Sequence, residues 1–206
     1  MIVFDIETGS RPETEIAQLC PQFEAPANYK DAAKIAAYIE EKRMEWFGRA
    51  ALSAVTGQVL AIGYMVGDNF DHFASGDEAE DIAAFWDLIT EHGAITSMVV
   101  GFNCLSFDVP FLVRRSWKLE VPIPPTLFRG RWISESFVDL MDIWKCGNRD
   151  QSISLGDLGK FLGAGDKTGT GKDFARLLET DRAAALAYLE NDVRLTARCA
   201  RFLGVL

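Results

Sequence analysis

Four acids and a tyrosine carry the chemistry of this chain: Asp5, Glu7, Asp108 and Asp192, with Tyr188. Asp5 and Glu7 interrupt the apolar run from Met1 to Thr8, which has the composition of a short strand buried on both faces. Side chains alternate across a strand, so acids two apart share one face. Like charges at that separation repel, and a divalent cation between them is the usual remedy; two solvated acids at a strand end would need none. Asp192 falls on the apolar side of a helix predicted from Thr180 to Leu203, with Thr180 as N-cap and Gly204 as stop. Leu186, Leu189, Val193 and Leu195 lie on that side, whereas Glu190, Arg194, Arg198 and Arg201 form the polar stripe. Tyr188, four residues before Asp192, stacks beneath it. A core arginine is the alternative partner for Asp192, but no base stands near it on that helix face. Asp108 opens a helix predicted from Phe107 to about Lys118, with Pro110 in its first turn, where the helix dipole alone accounts for an acid. An unpaired buried carboxylate costs several kcal/mol, so a set of them is held by cations, and the set points to a metal site.

Taken together, three segments resemble the motifs of the DEDD exonucleases, in chain order and over nearly the whole chain. They are Asp5-x-Glu7 at the end of the first strand, Asn103-x-x-x-Phe107-Asp108, and Tyr188-x-x-x-Asp192. The second motif, with Pro110, Phe111, Leu112 and Arg115, is most similar to the proofreading exonuclease domain of family B DNA polymerases. The stretch from Ser154 to Gly163 is similar to the segment those domains carry before their third motif. One branch of the superfamily places a histidine five residues before the last aspartate; here that position is Ala187, and the only histidines are His72 and His92, which indicates the tyrosine branch. The resemblance implies a 3′–5′ exonuclease that releases nucleoside 5′-monophosphates by a two-metal-ion mechanism. It assigns Asp5, Glu7, Asp108 and Asp192 to two Mg²⁺ or Mn²⁺ ions and Tyr188 to orienting the attacking water. A phenol with an ordinary pKa of about 10 is a poor base by itself. Thr8, Gly9, Asn103 and Phe107, adjacent to the ligands, are expected to hold the terminal nucleotide, and Arg115 and Lys167 are further candidate substrate contacts.

The same residues have a partial likeness to two other classes. Asp-x-Glu-Thr-Gly is similar to the Asp-x-Asp-x-Thr loop of haloacid-dehalogenase-type phosphatases, metal-dependent enzymes whose second acid is aspartate, whereas Glu7 fits the exonuclease pattern. A non-catalytic nucleic-acid-binding module on the same fold usually lacks a carboxylate, and none of the four is missing here.

The net charge of −9 argues against a general nucleic-acid coat, because phosphate contacts need Lys and Arg. Arg114, Arg115, Lys118, Arg129 and Arg131 crowd one segment, as a guide for a strand or as a solvated loop. The basic loop from Lys167 to Lys172 lacks phosphate-loop spacing, since Asp166 stands where glycine is required and Asp173 where Ser or Thr is; contact with substrate phosphate stays open to it. The 206 residues, 49% hydrophobic, fit one exonuclease domain over 1–206 with no room for a polymerase domain. The N-terminus runs straight into the first strand, so neither signal peptide nor membrane span is expected and the location is cytoplasmic. Cys20, Cys104, Cys146 and Cys199 are scattered, as reduced thiols are. The expected partner is single-stranded nucleic acid or a 3′ end, DNA favoured over RNA, and no membrane.

The elements that must position these residues follow from pattern. A hairpin is predicted from Gln58 to Val66 and Asn69 to Ala74 around Gly67 and Asp68, then a helix from about Asp77 to Glu91. A strand near Met98 to Phe102, the helix carrying Asp108, a proline-rich loop from Val121 to Pro125 and a strand near Phe137 to Leu140 follow. A hairpin plus strand-helix-strand units implies an α/β domain, a mixed sheet with helices on both faces. That is the three-layer ribonuclease H-like fold the resemblance also implies. The partly helical insertion at about 10–50 is expected to hold a helix from Asp31 to Phe47, with Ile35, Tyr38, Ile39 and Trp46 available for burial, as a lid or otherwise.

Overall fold

A computed structural model describes residues 1–92, 98–128, 136–169 and 171–205 of the chain. It divides into two compact units, Met1–Glu7 with Val59–Leu206, and Thr8–Gln58. Its strands are β1 (Ile2–Ser10), β2 (Gly57–Val66), β3 (Asn69–Phe73), β4 (Val99–Gly101) and β5 (Phe137–Asp139). Its helices are α1 (Glu13–Ile16), α2 (Ala32–Gly48), α3 (Glu78–Glu91), α4 (Asp108–Leu119), α5 (Leu140–Lys145), α6 (Leu155–Leu162), α7 (Phe174–Thr180) and α8 (Arg182–Phe202).

The strands form one sheet in the order β3-β2-β1-β4-β5. β1 with β4 and β4 with β5 run parallel, whereas β2 and β3 are antiparallel, so the sheet is mixed as predicted. Val66 pairs with Asn69, which leaves Gly67 and Asp68 as a two-residue loop. Gly67 takes φ +64°, open to glycine at the first central position of such a turn.

Alternation along β1 distributes its side chains between two layers. Ile2, Val3, Phe4 and Ile6 are all buried, and the Phe4 ring lies 5.1 Å from that of Phe85 on α3. Val3 instead joins the cluster built on Ala185, Leu189, Val193 and Leu195 of α8. Helices therefore cover both faces of the sheet, and Asp5 and Glu7, in step with Val3, share the α8 face. α8 lies close to the sheet at Gly63 of β2, where a Cβ would stand 2.6 Å from Leu189 Cγ and 3.0 Å from Val193 Cγ2. It packs on α6 in the same manner, a Cβ on Gly159 falling 2.9 Å from Leu195 Cδ1.

Most boundaries lie within a residue or so of the sequence reading, and two of those that differ have a side-chain cause. α8 is capped by Asp181, whose carboxylate accepts from Ala184 N at 3.0 Å, and not by Thr180. Thr180 is the last residue of α7, its hydroxyl donating to the Arg176 carbonyl at 2.9 Å, so its backbone is helical and not in the extended form an N-cap takes. β5 stops at Asp139 and not at Leu140, because Asp139 accepts from Met141 N at 2.9 Å and starts α5.

In the unit Thr8–Gln58, α2 starts at Ala32, one residue after the expected start, and Asp31 is its cap, accepting from Ala33 N at 2.8 Å. None of its residues is buried, however, and Ile35, Tyr38, Ile39 and Trp46 reach only partial burial. The unit is closed by Arg11 N donating to the Thr56 carbonyl at 2.9 Å, and by the Thr56 hydroxyl donating to that of Ala50 at 2.8 Å. No described helix is long and apolar enough to cross a membrane, and the four cysteines are unbridged.

Candidate active site

Each motif reaches the site on a different element. β1 brings Asp5 and Glu7 and α8 brings Asp192, and one carboxylate oxygen from each lies within 4.8 Å of the other two. Tyr188, one turn before Asp192, is buried beside them. Asp108 arrives through a sharp turn: Asn103 takes φ 57°, its carbonyl accepts from Ser106 N and Phe107 N, and α4 starts at Asp108. Asp108 Oδ1 then accepts from Ile6 N at 3.1 Å, fastening the second motif to the first strand. Asp108 thus lies outside the three-acid group, yet it lines the same cleft of about 780 Å³ with Asp5, Glu7, Asn103, Phe107, Lys167 and Tyr188.

The acids are placed against their electrostatic preference. Burial, then repulsion from Asp108, Glu7 and Asp192, raises the Asp5 carboxyl well above the ordinary carboxylate range. Burial, then the charge of Asp192, pushes Glu7 up to about 8, against the pull of Lys167. Asp108 is pushed up to about 7 by burial, and the hydrogen bond from Ile6 N opposes that shift. The Tyr188 phenol is raised above its usual range by burial and then by the charges of Glu7 and Asp192. Only one ammonium faces these carboxylates among the described residues: Lys167 Nζ lies 2.5 Å from Asp192 Oδ2 and 5.2 Å from the Tyr188 ring centroid. Asp192 Oδ1 and the Tyr188 hydroxyl remain buried with no hydrogen-bond partner among the described residues. Crowded, mutually repelling oxygen donors with an unsatisfied buried oxygen fit a divalent cation.

The sequence-predicted substrate contacts separate into groups. Asn103, Phe107 and Lys167 line the cleft, and Phe107 stands 5.5 Å from the Phe111 ring. Thr8 and Gly9 belong to the unit Thr8–Gln58, where the Thr8 hydroxyl donates to the Ala51 carbonyl at 2.8 Å and Gly9 is buried. Arg115 is a correction. It is 4% exposed, and its guanidinium donates to Glu78 at 2.8 Å and 2.7 Å, so it is committed to the core and not offered to a substrate. Arg114 and Lys118 are exposed, and Arg129 and Arg131 lie outside the described residues. Asp192 has an ion-pair partner, Lys167, although none stands on its own helix face among the described residues. It comes from the loop ahead of α7, not from the helix, so periodicity on α8 could not find it.

Two contributors carried no signal in the sequence reading. Asp139, 2% exposed, accepts from Asn103 N at 2.7 Å and from Leu105 N at 2.9 Å, and so holds the turn that delivers Asp108. Gly171 reaches the cleft with no side chain, and a Cβ there would meet Glu7 Oε2 at 3.3 Å.

Comparison with known proteins agrees with this architecture. Among solved structures, the family B DNA polymerase of the hyperthermophilic archaeon Pyrobaculum calidifontis superposes with a TM-score of 0.64 at 19% identity. That match covers 98% of this chain, which spans 24% of the polymerase, and at such identity it speaks to the fold. No curated protein matches the chain. The family model of the RNase H superfamily matches residues 50–178, more than half of the length. With that match and the mixed sheet that brings Asp5 and Glu7 under Asp192, the chain belongs to the RNase H superfamily.

Proposed function

We propose that residues 1–206 act as a 3′–5′ exonuclease domain of the DEDD tyrosine branch, with the partly helical segment at about 10–50 an insertion in it. The enzyme hydrolyses the terminal phosphodiester of single-stranded nucleic acid or a free 3′ end, DNA favoured over RNA, and releases nucleoside 5′-monophosphates. The observation that carries this reading is the group of Asp5, Glu7 and Asp192, whose oxygens lie within 4.8 Å of one another with only Lys167 opposing them among the described residues.

Asp5, Glu7 and Asp192, with Asp108 hydrogen-bonded to the β1 backbone at Ile6, are the residues that would hold two Mg²⁺ or Mn²⁺ ions. When bound, such ions supply a water of lowered pKa and neutralise charge developing on the phosphate and the leaving oxygen. Tyr188 stays a neutral phenol, because burial is the first cause of its raised pKa and does not depend on the neighbouring carboxylates. It therefore serves by aligning water through its hydroxyl and not by removing a proton. Phe107 offers a half-buried aromatic surface to the terminal base or sugar, and Asn103 lies beside it in the cleft. Lys167 is the cleft cation within reach of a substrate phosphate.

The test is hydrolysis of end-labelled single-stranded DNA, duplex DNA and RNA by purified protein. Mononucleotides released stepwise from the 3′ end in Mg²⁺ or Mn²⁺, and none in excess chelator, is the expected result. Full activity in chelator removes the metal mechanism, and cutting of closed circular single strands removes the exonuclease assignment.

A further inference from the structure

Lys167 stands where the loop ahead of α7 meets α6 and the acids of the cleft, and its two ends live under different constraints. The backbone end is held. Ala164, three residues earlier, is buried, and its carbonyl accepts from Arg198 Nε at 2.6 Å. Lys167 Cβ rests against Gly156 of α6, where an added Cβ would stand 3.5 Å away. The ammonium end hangs on a flexible four-carbon stem, which carries it to Asp192 Oδ2 at 2.5 Å. The Lys167 side chain is 31% exposed and that of Asp192 only 1%, so the acid is sealed while the base has room to turn into the cleft it lines.

Charge decides which partner Lys167 keeps. The ammonium pairs with Asp192 and draws down the carboxyls of Asp5 and Glu7 against the effects that raise them, so all three grouped acids feel it. Asp157, a further carboxylate on the cleft wall, is already engaged by the Ser154 hydroxyl at 2.7 Å. Two divalent ions would be matched in full by the charges of Asp5, Glu7, Asp108 and Asp192. An ammonium still against Asp192 is then a surplus positive charge in a cleft of low dielectric, and like charges there repel strongly. A phosphodiester brings the one negative charge that restores the balance. Resting on the proposed action on nucleic acid, we infer that Lys167 is an exchanging cation: it neutralises Asp192 in the free chain, yields that carboxylate to divalent ions, and turns on its stem to the phosphate of the bound strand. Lys167 therefore opposes metal binding and favours strand binding, and the two affinities are linked through one side chain.

The test titrates Mn²⁺ onto the full chain by calorimetry, without nucleic acid. Lys167→Met keeps a stem and removes the charge, so it should bind Mn²⁺ about tenfold more tightly than the parent, whereas Lys167→Arg should stay near the parent. Lys167→Gln replaces the methionine variant should that one fold poorly. A single-stranded DNA oligomer whose 3′-terminal linkage is a hydrolysis-resistant phosphorothioate is then titrated in Mn²⁺ and in chelator. Loss of the charge should weaken strand binding about tenfold in Mn²⁺ and by less than about twofold in chelator. Mn²⁺ affinity unchanged or weakened in a folded neutral variant, or an equal loss of strand binding with and without metal, overturns the exchange. If both effects appear and the parent hydrolyses no strand, the exchange stands and the exonuclease reading falls; hydrolysis without either effect gives the reverse.

Discussion

Glu78, Asp81 and Asp139 are placed almost as deeply as Glu7 and Asp192, yet the two sets live under opposite conditions. Glu78 takes two hydrogen bonds from Arg115 and one from Val59 N at 2.7 Å. Asp81 accepts from Ser75 N on both oxygens, at 2.9 Å and 3.1 Å. Asp139 takes three backbone amides. In the cleft, by contrast, Asp192 has Lys167 at one oxygen and no partner at the other among the described residues, and Asp5 and Glu7 are raised first by burial and then by neighbouring carboxylates. Burial alone does not distinguish a working acid from a structural one. What distinguishes them is whether the fold supplies enough countercharge and amides for every oxygen, because a buried carboxylate oxygen left over is stabilised only by something that binds.

The largest expected difference between the sets is in catalysis. Asp5→Asn should lower hydrolysis by roughly three orders of magnitude or more, as loss of several kcal/mol of charge stabilisation requires. The same change should leave the melting temperature in chelator equal or higher, since it relieves repulsion from Asp108, Glu7 and Asp192. A variant that melts lower with and without Mg²⁺ would move Asp5 into the structural set.

Tyr188→Phe tests the aromatic member of the cleft. The ring and its packing survive, so only the aligned hydroxyl is lost, and single-turnover cleavage should slow by about 10²–10⁴-fold with binding little altered. An unchanged rate would make Tyr188 a core aromatic.

Arg115→Ala should behave in the opposite way. Removing one partner of a buried pair costs about 3–5 kcal/mol, a fall in melting temperature on the order of 10 °C for a chain of this size. Activity of the folded fraction, measured well below the melting point, should be near that of the parent. A selective rise in KM at full stability would return Arg115 to the substrate contacts.

The smallest effect is on pH dependence. Glu7 and Asp108 have raised pKa values in the folded, metal-free chain, about 8 and about 7 against ordinary values of 4.5 and 3.8. The folded state therefore binds protons more tightly than the unfolded one. Their contribution to stability is fully present below about pH 4 and is lost as pH rises toward 8. In chelator the melting temperature should fall by some degrees between pH 5.5 and 8.5, and Glu7→Gln should flatten the slope. Mg²⁺, which binds the deprotonated form, should oppose it. A melting temperature that rises over this range in chelator contradicts the electrostatic account.

Much of this arrangement was legible in the sequence because it is local. The i, i+2 spacing of Asp5 and Glu7, the i, i+4 spacing of Tyr188 and Asp192 and the Gly67 turn are each decided within a few residues. The illegible parts depend on residues brought together from afar. Glu78 meets Arg115 across 37 positions, and Asp139 reaches back to Asn103 across 36. Nothing in the segment around Arg115 reveals that its charge is already neutralised. The choice between Thr180 and Asp181 was equally hidden, since both residue types cap well and it is the extent of α7, which ends at Thr180, that leaves Asp181 as the cap.

The glycine at position 63 sets a clearance. Its missing side chain lets Leu189 and Val193 settle on β2, and these are the sequence neighbours of Tyr188 and Asp192. The height of α8 above the sheet and the gap between the helix acid and the strand acids are consequently one dimension and not two. A methyl group introduced at Gly63 acts as a shim under a beam. It lifts Asp192 from Asp5 and Glu7 while touching none of them, so a residue with no chemistry of its own calibrates the spacing of the three acids.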